Sequence, residues 1–424
     1  MGFDSMTRIY VAMAGSCFWG LAIGPLAWAI PPSELSEEES QQIAAAERFL
    51  TVLERSPRFG TAFDRVYGYH LEFGTLDAFV KQLSDRTAKD ATDSTPWMLW
   101  GMIEFQRGAD ALAINAFRQA TLLHPDDALP SYYLGQALLR HDKNTEAVVA
   151  FEQAIARKPT RTDLLEISLQ LGRVHQRAQR GDEALKVWMR LESAFPDDVR
   201  VLEQIATTLV EEESYFEALR RFERLSELVK DDYQRVLFRV QAASLKIKTN
   251  RRDEGIEDFE GLLANLNPTS WLYRDIHRRI EEVFLKTGEQ EGLVKYYERW
   301  MASHPDDIEV MSRLAKILAS SARMPEAMQW IENAIQRAPS RADLRKSYIE
   351  QLVDAKRIAD ALKQYEQLVA TEPGNPDYMR DWGKLVLKDN SRELDVRKQE
   401  AARIWNGIVA LRPNDASNLS QVAD

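Results

Sequence analysis

Residues 128–161 read ALPSYYLGQALLRHDKNTEAVVAFEQAIARKPTR. Two amphipathic helices fit this stretch, one over about 129–141 and one over about 145–157. Tyr132, Leu134, Leu138, Phe151 and Ile155 recur at helical spacing and supply the apolar surface. Pro130 falls in the first turn of the first helix, where its missing N–H is harmless. Gly135 and Ala147 lack bulk, so the two backbones can approach closely, and Phe151 is the large side chain that fills the seam beside them. Pro159 cannot continue a helix and closes the unit. A single pair of this kind cannot bury its own apolar face, so the unit must recur along the chain.

It does recur. Units start at 94, 128, 165, 199, 236, 274, 308, 342 and 376. The first small position carries Gly101, Gly135, Gly172, Ala206, Ala243, Glu281, Ala315, Ile349 and Gly383. The second carries Ala113, Ala147, Ala184, Ala218, Gly255, Leu293, Ala327, Ala361 and Ala401. The seam position carries Phe117, Phe151, Trp188, Phe222, Phe259, Tyr297, Ile331, Tyr365 and Trp405. This pattern resembles the tetratricopeptide-repeat superfamily over residues 94–424, and more loosely over 37–93. It looks most like the long bacterial members that carry an export signal. The resemblance implies an all-α fold, a right-handed α-solenoid of helix–turn–helix repeats. It also implies a concave groove lined by the first helices, which binds extended peptides or partner helices.

Two departures stand out. Unit 274–307 has Glu281 and Leu293 where small residues belong, so its helices are expected to sit further apart. Extra residues at 270–273 precede it. Either this is a joint between repeats 1–5 (94–269) and repeats 6–9 (270–415), or it is one tolerated irregular unit. The second departure is an insertion, DNSRELDV at 389–396, expected to lengthen a surface turn.

Outside the array, residues 1–29 read as an export signal: Arg8, an uncharged run from Ile9 to Ile30, then Ala27-Trp28-Ala29 as a cleavage site. The same run is long enough to stay as a membrane anchor, and Ser16-Cys17 loosely matches a lipidation site. The expected place is therefore the periplasm or the exterior. Residues 30–93 hold an acidic linker, a helix from about Glu37 to Arg55, and a diverged capping repeat at 60–86 followed by a loop at 87–93. At the other end, residues 416–424 read as the start of a tenth unit broken off at Asp424, so the sequence is expected to be part of a longer chain.

The 424 residues carry 55 Lys plus Arg against 66 Asp plus Glu, a net charge of −11, which argues against a nucleic-acid groove. Cys17 is the single cysteine, so no disulfide framework or cysteine-based metal site is possible. No HExxH, phosphate loop or GxSxG occurs, and the six histidines are scattered. Neither catalysis nor a metal nor a cofactor is expected. The acidic pairs Asp126-Asp127, Asp197-Asp198, Asp231-Asp232 and Asp306-Asp307 read as helix caps.

What remains is the groove. The template turns Tyr132, Tyr133, Gln136 and Arg140 toward it, then Gln170, Arg173 and Arg177, then Gln204 and Thr207, then Arg278 and Arg279, then Arg313 and Lys316, then Lys346, with Arg380 and Lys384 beyond. Aromatic, amide and guanidinium groups suit a peptide backbone and carboxylates. The sequence therefore points to a scaffold that binds a protein or peptide, with no nucleic acid and no membrane contact beyond the N-terminal segment. A second reading makes the array the substrate-recruiting arm of an enzyme, such as a glycosyltransferase, whose catalytic domain lies beyond 424.

Overall fold

The computed structural model describes residues 37–411 apart from Gly374; the signal at 1–29, the linker residues before 37 and the tenth unit at 416–424 lie outside the described residues. Three helices come first: α1 (Glu37–Arg55), α2 (Thr61–Glu72) and α3 (Leu76–Lys89). Hairpins follow. They pair α4 (Thr95–Arg107) with α5 (Asp110–Leu123), α6 (Ala128–Arg140) with α7 (Asn144–Ala156), and α8 (Arg161–Arg177) with α9 (Gly181–Ala194). Next come α10 (Val199–Glu211) with α11 (Tyr215–Leu228), α12 (Asp232–Lys248) with α13 (Arg252–Leu263), and α14 (Trp271–Lys286) with α15 (Gln290–Ser303). The last are α16 (Ile308–Ser320) with α17 (Met324–Arg337), α18 (Ala342–Asp354) with α19 (Ile358–Thr371), and α20 (Pro376–Leu387) with α21 (Leu394–Leu411). Among the described residues there is no strand. The all-α solenoid architecture is therefore as expected, with helix–turn–helix repeats as its unit.

The seam works through size. A Cβ added to Gly135 would stand 2.6 Å from Cε1 of Phe151, and one added to Gly101 would stand 2.6 Å from Cε1 of Phe117. At Gly255 the obstacle is backbone, with the Ala243 carbonyl oxygen 2.7 Å away. Ala113, Ala147, Ala218, Ala327 and Ala361 are completely buried at the second small position. In unit 274–307, where Glu281 and Leu293 replace small residues, the backbones of α14 and α15 approach less closely than those of α6 and α7 or of α16 and α17. The bulk at these two positions holds them apart.

Capping fixes where the first helices begin. Asp127 accepts from Leu129 N–H at 3.0 Å, Asp198 from Arg200 N–H at 3.1 Å, Asp231 from Gln234 N–H at 2.8 Å and Asp307 from Val310 N–H at 3.1 Å. One member of each acidic pair is a cap, as their placement implied. In three hairpins the first helix starts earlier than the repeat register suggests. Helices α8, α12 and α14 begin at Arg161, Asp232 and Trp271, because Thr160, Asp231 and Ser270 cap them and the extra residues form another turn. Similarly α3 continues to Lys89, shortening the loop expected at 87–93. The insertion at 389–396 divides, part lengthening the turn after α20 and part joining α21.

The chain forms two compact units that divide at Ala184 and Leu185, within α9. The first unit holds the aromatic cluster of Phe59, Phe63, Phe105 and Tyr133. The second holds one contiguous apolar core from Val240 to Ile404, which passes through the irregular 270–273 segment without a break.

Candidate functional site

The first helices carry the residues assigned to the groove, and the structure separates them into groups. In the first unit, Tyr132 and Tyr133 are 2% and 5% exposed, which corrects the expectation of an open aromatic pair. The Tyr132 hydroxyl donates to Glu166 Oε1 at 2.6 Å and accepts from Gln136 Nε2 at 2.7 Å. The Tyr133 hydroxyl accepts the Phe59 N–H at 3.1 Å. Burial pushes the Tyr133 phenol up to about 12. Arg140 lies 3.7 Å over the Phe105 ring and donates to Asp110 at 2.5 Å, tying its own repeat to the preceding one. Gln170 and Arg173 are half-buried on α8, and Arg177 is exposed near its end.

In the second unit, Gln204 and Thr207 stand exposed on α10. Three arginines of α14 and α16 are paired with carboxylates of the fold. Arg278 and Arg279 donate to Asp275 at 2.5 and 2.7 Å, and Arg279 also reaches Ser244 Oγ at 3.0 Å. Arg313 donates to Glu281 at 2.9 Å, Glu309 at 3.2 Å and the Arg274 carbonyl at 3.1 Å. Glu281 in turn accepts from Tyr297 at 2.8 Å, so the misfit carboxylate at the small position is fully engaged. Lys316 and Lys346 remain exposed, with the Lys346 ammonium 5.6 Å from the Tyr378 ring.

A cleft of about 460 Å³ opens on the same face between α18 and α20. Ile349, Val353 and Leu385 form its apolar lining, Glu350 and Asp354 stand on the α18 side, and Lys384 and Lys388 on the α20 side. Asp381 and Tyr365 complete it. The cause lies in the repeat template. In the hairpins of Gly101 and Gly135 the seam aromatics Phe117 and Phe151 are completely buried. Here Ile349 takes that space, and Tyr365 stays half-buried and lines the cleft. Burial, then Asp381 and Glu350, push its phenol up to about 12. A second cleft of about 410 Å³ lies between α1 and α2 in the first unit, bordered by Phe49, Arg65 and Tyr69.

Buried histidines belong to the core. His277 is enclosed by the rings of Tyr273, Tyr297 and Trp300, at 4.7, 5.6 and 5.6 Å. Among the described residues no His, Cys, Asp and Glu group could hold a metal ion, and no helix is long and apolar enough to cross a membrane.

Residues 99–161, which span α4 to α7, match the family model for the tetratricopeptide repeat. The chain carries tetratricopeptide repeats. Among solved structures it is similar to the complex of Naa15/Naa10 bound to HypK-THB, at 14% identity and a TM-score of 0.44, over 91% of this chain and 63% of that one. It thus spans less than two thirds of that relative's length. It is also similar to the C-terminal part of a TPR repeat-containing protein from Cytophaga hutchinsonii, at 15% identity and a TM-score of 0.37, over 60% of this chain and 98% of that one. YrrB, a TPR protein with an unusual peptide-binding site, aligns at 17% identity and a TM-score of 0.32, over 46% of this chain and 97% of that one. No curated protein matches the chain.

Within the array of hairpins, the sequence template found Lys384 but passed over Glu350, Asp354, Tyr365, Asp381 and Lys388. One signal was available. Ile349 is the one bulky aliphatic residue in the row of first small positions, and the cleft opens beside it.

Proposed function

We propose that the protein is a non-enzymatic interaction scaffold that holds a peptide or protein partner against the first helices of its hairpins. The α18–α20 cleft carries this reading. It combines an apolar lining with charged groups on both sides, the arrangement that buries an anchor side chain and orients its neighbours. Preformed helices keep the ordering cost of binding low. The partner face expected from the sequence shifts accordingly: Lys346 and Lys384 stay in it, as do Gln204, Thr207 and Lys316, whereas Arg279 and Arg313 act mainly as internal struts and the exposed Arg278 is paired along its own helix. The segment at 1–29 supports export, so the partner would be met in the bacterial envelope.

Site-specific photocrosslinking tests this. A benzophenone amino acid at Lys384 or Asp354 should trap a defined partner in cells, and the same group at Val149, exposed on the second-helix side of the first unit, should not. Equal trapping at all three positions, or none, would overturn the scaffold reading.

A further inference from the structure

The α18–α20 cleft differs in chemistry from the neighbouring helices of its own unit. On α14 and α16, Arg278, Arg279 and Arg313 are met by carboxylates of the fold, at 2.5 Å for Arg278 and Asp275 and 2.9 Å for Arg313 and Glu281. In the cleft, no hydrogen bond or ion pair among the described residues engages the side chains of Glu350, Asp354, Asp381, Lys384 or Lys388. Glu350 and Asp354 lie one turn apart on α18, and Lys388, which caps the C-terminus of α20, follows Lys384 by four residues. Opposite charges therefore border one gap without closing across it. Such groups give up water on meeting a guest, but no internal partner has to be displaced.

Three carboxylates against two ammonium groups leave the cleft net negative. Asp381 on α20 and Glu350 on α18 both act on the Tyr365 hydroxyl, which places negative potential over the apolar lining itself. The volume of about 460 Å³ falls inside the roughly 300–1,000 Å³ typical of ligand pockets.

Building on the scaffold reading, we infer that this cleft seats an extended peptide in which an apolar side chain stands next to an arginine or lysine. The apolar side chain covers Ile349, Val353 and Leu385, and the basic one reaches Glu350 and Asp354. A long basic side chain suits both demands, since its methylene stem can lie on apolar surface while its head meets carboxylate. The ammonium groups of Lys384 and Lys388 face peptide carbonyl oxygens on the other side. An acidic segment placed in the same way would meet three carboxylates.

The test is a random heptapeptide library displayed on phage, panned against the full chain and against the double variant Glu350→Gln, Asp354→Asn. Both substitutions are isosteric and lie on a helix surface, and a thermal melt checks that the variant folds. The expected result is enrichment of apolar–basic pairs by the native chain, with at least a tenfold loss of recovery on the variant. If peptides are enriched but lack a basic residue, or if the variant retains them, the inference falls and the scaffold reading stands. If neither protein enriches any peptide, both fall.

Discussion

The Phe151 ring lies against the backbone of Gly135, so close that a Cβ on that glycine would stand 2.6 Å from Cε1 and 2.7 Å from Cδ1. Phe151 is completely buried and has little room to withdraw. Gly135→Ala should therefore destabilise the first unit by roughly 1–3 kcal/mol through overpacking. Phe151→Leu alone should also destabilise, by leaving a void. The two changes together should cost less than their sum, because the smaller leucine side chain gives the new methyl its space. Urea unfolding of the single and double variants measures the coupling, and simple additivity would contradict the seam.

The turns within the hairpins repeat a single backbone feature. Gly74, Gly108, Asp142, Gln179, Glu213, Asn250, Gly288, Ala322 and Lys356 all have positive φ, between 58° and 79°. One residue in the α2–α3 turn and in each hairpin turn from α4–α5 to α18–α19 is left-handed, and most of these are not glycine. Ala322, at φ 59°, should accept glycine with a gain of about 0.5–1 kcal/mol, since the steric cost of the left-handed region exceeds the extra chain entropy of glycine. Gly288, at φ 72°, should lose roughly 1 kcal/mol on Gly288→Ala although no atom lies within 4 Å of the added Cβ. Opposite signs in chemical denaturation are the expected outcome.

In the α14–α15 hairpin, Tyr297 replaces the seam phenylalanine and Glu281 replaces the small residue, and the hydroxyl donates to that carboxylate at 2.8 Å. The two departures compensate each other. Tyr297→Phe should cost roughly 1.5–3 kcal/mol, the range for a hydrogen bond to a charged group. Glu281→Ala would strand the buried hydroxyl and leave Arg313 with Glu309 and the Arg274 carbonyl. In a Tyr297→Phe background the second loss should shrink markedly, which a double-mutant cycle reads directly.

Much of this was written in the sequence. Small residues at two fixed places, an aromatic at a third and acidic caps between units specify each hairpin, because each is a local requirement of backbone approach or of an unpaired N–H. The left-handed turn residues were less legible. Gln179, Glu213 and Lys356 do not advertise positive φ, and hold it only because both flanking helices force it. The face that meets a partner was the hardest part. Arg279 and Arg313 occupy template groove positions, yet whether a guanidinium is available depends on carboxylates 4 and 32 residues away, Asp275 and Glu281, and on Ser244, 35 residues away. The repeat template records which way a residue faces. It does not record who answers it.

His277 gives the protein a defined response to acid. The ring is completely buried, neither nitrogen has a hydrogen-bond partner, and burial holds it down at about 3, with Arg313 and His304 lowering it further and Asp307 opposing them. Its ordinary value is 6.5. Between those values the unfolded chain binds a proton that the folded chain refuses. Stability therefore rises with pH by up to about 1.4 kcal/mol per unit in this window, is fully present above 6.5, and is lost as pH falls toward 3. His70, which burial lowers to about 4, adds a response of the same sign in the first unit. His277→Leu should remove close to one proton from the slope in the second unit. Because the imidazole nitrogens bond to nothing, the substitution strands no partner, and the loss at pH 7.5 should be small. Denaturant midpoints of both proteins between pH 4 and 7.5 decide the matter: the difference should narrow or reverse at the acid end, and parallel curves would show that His277 does not titrate on unfolding.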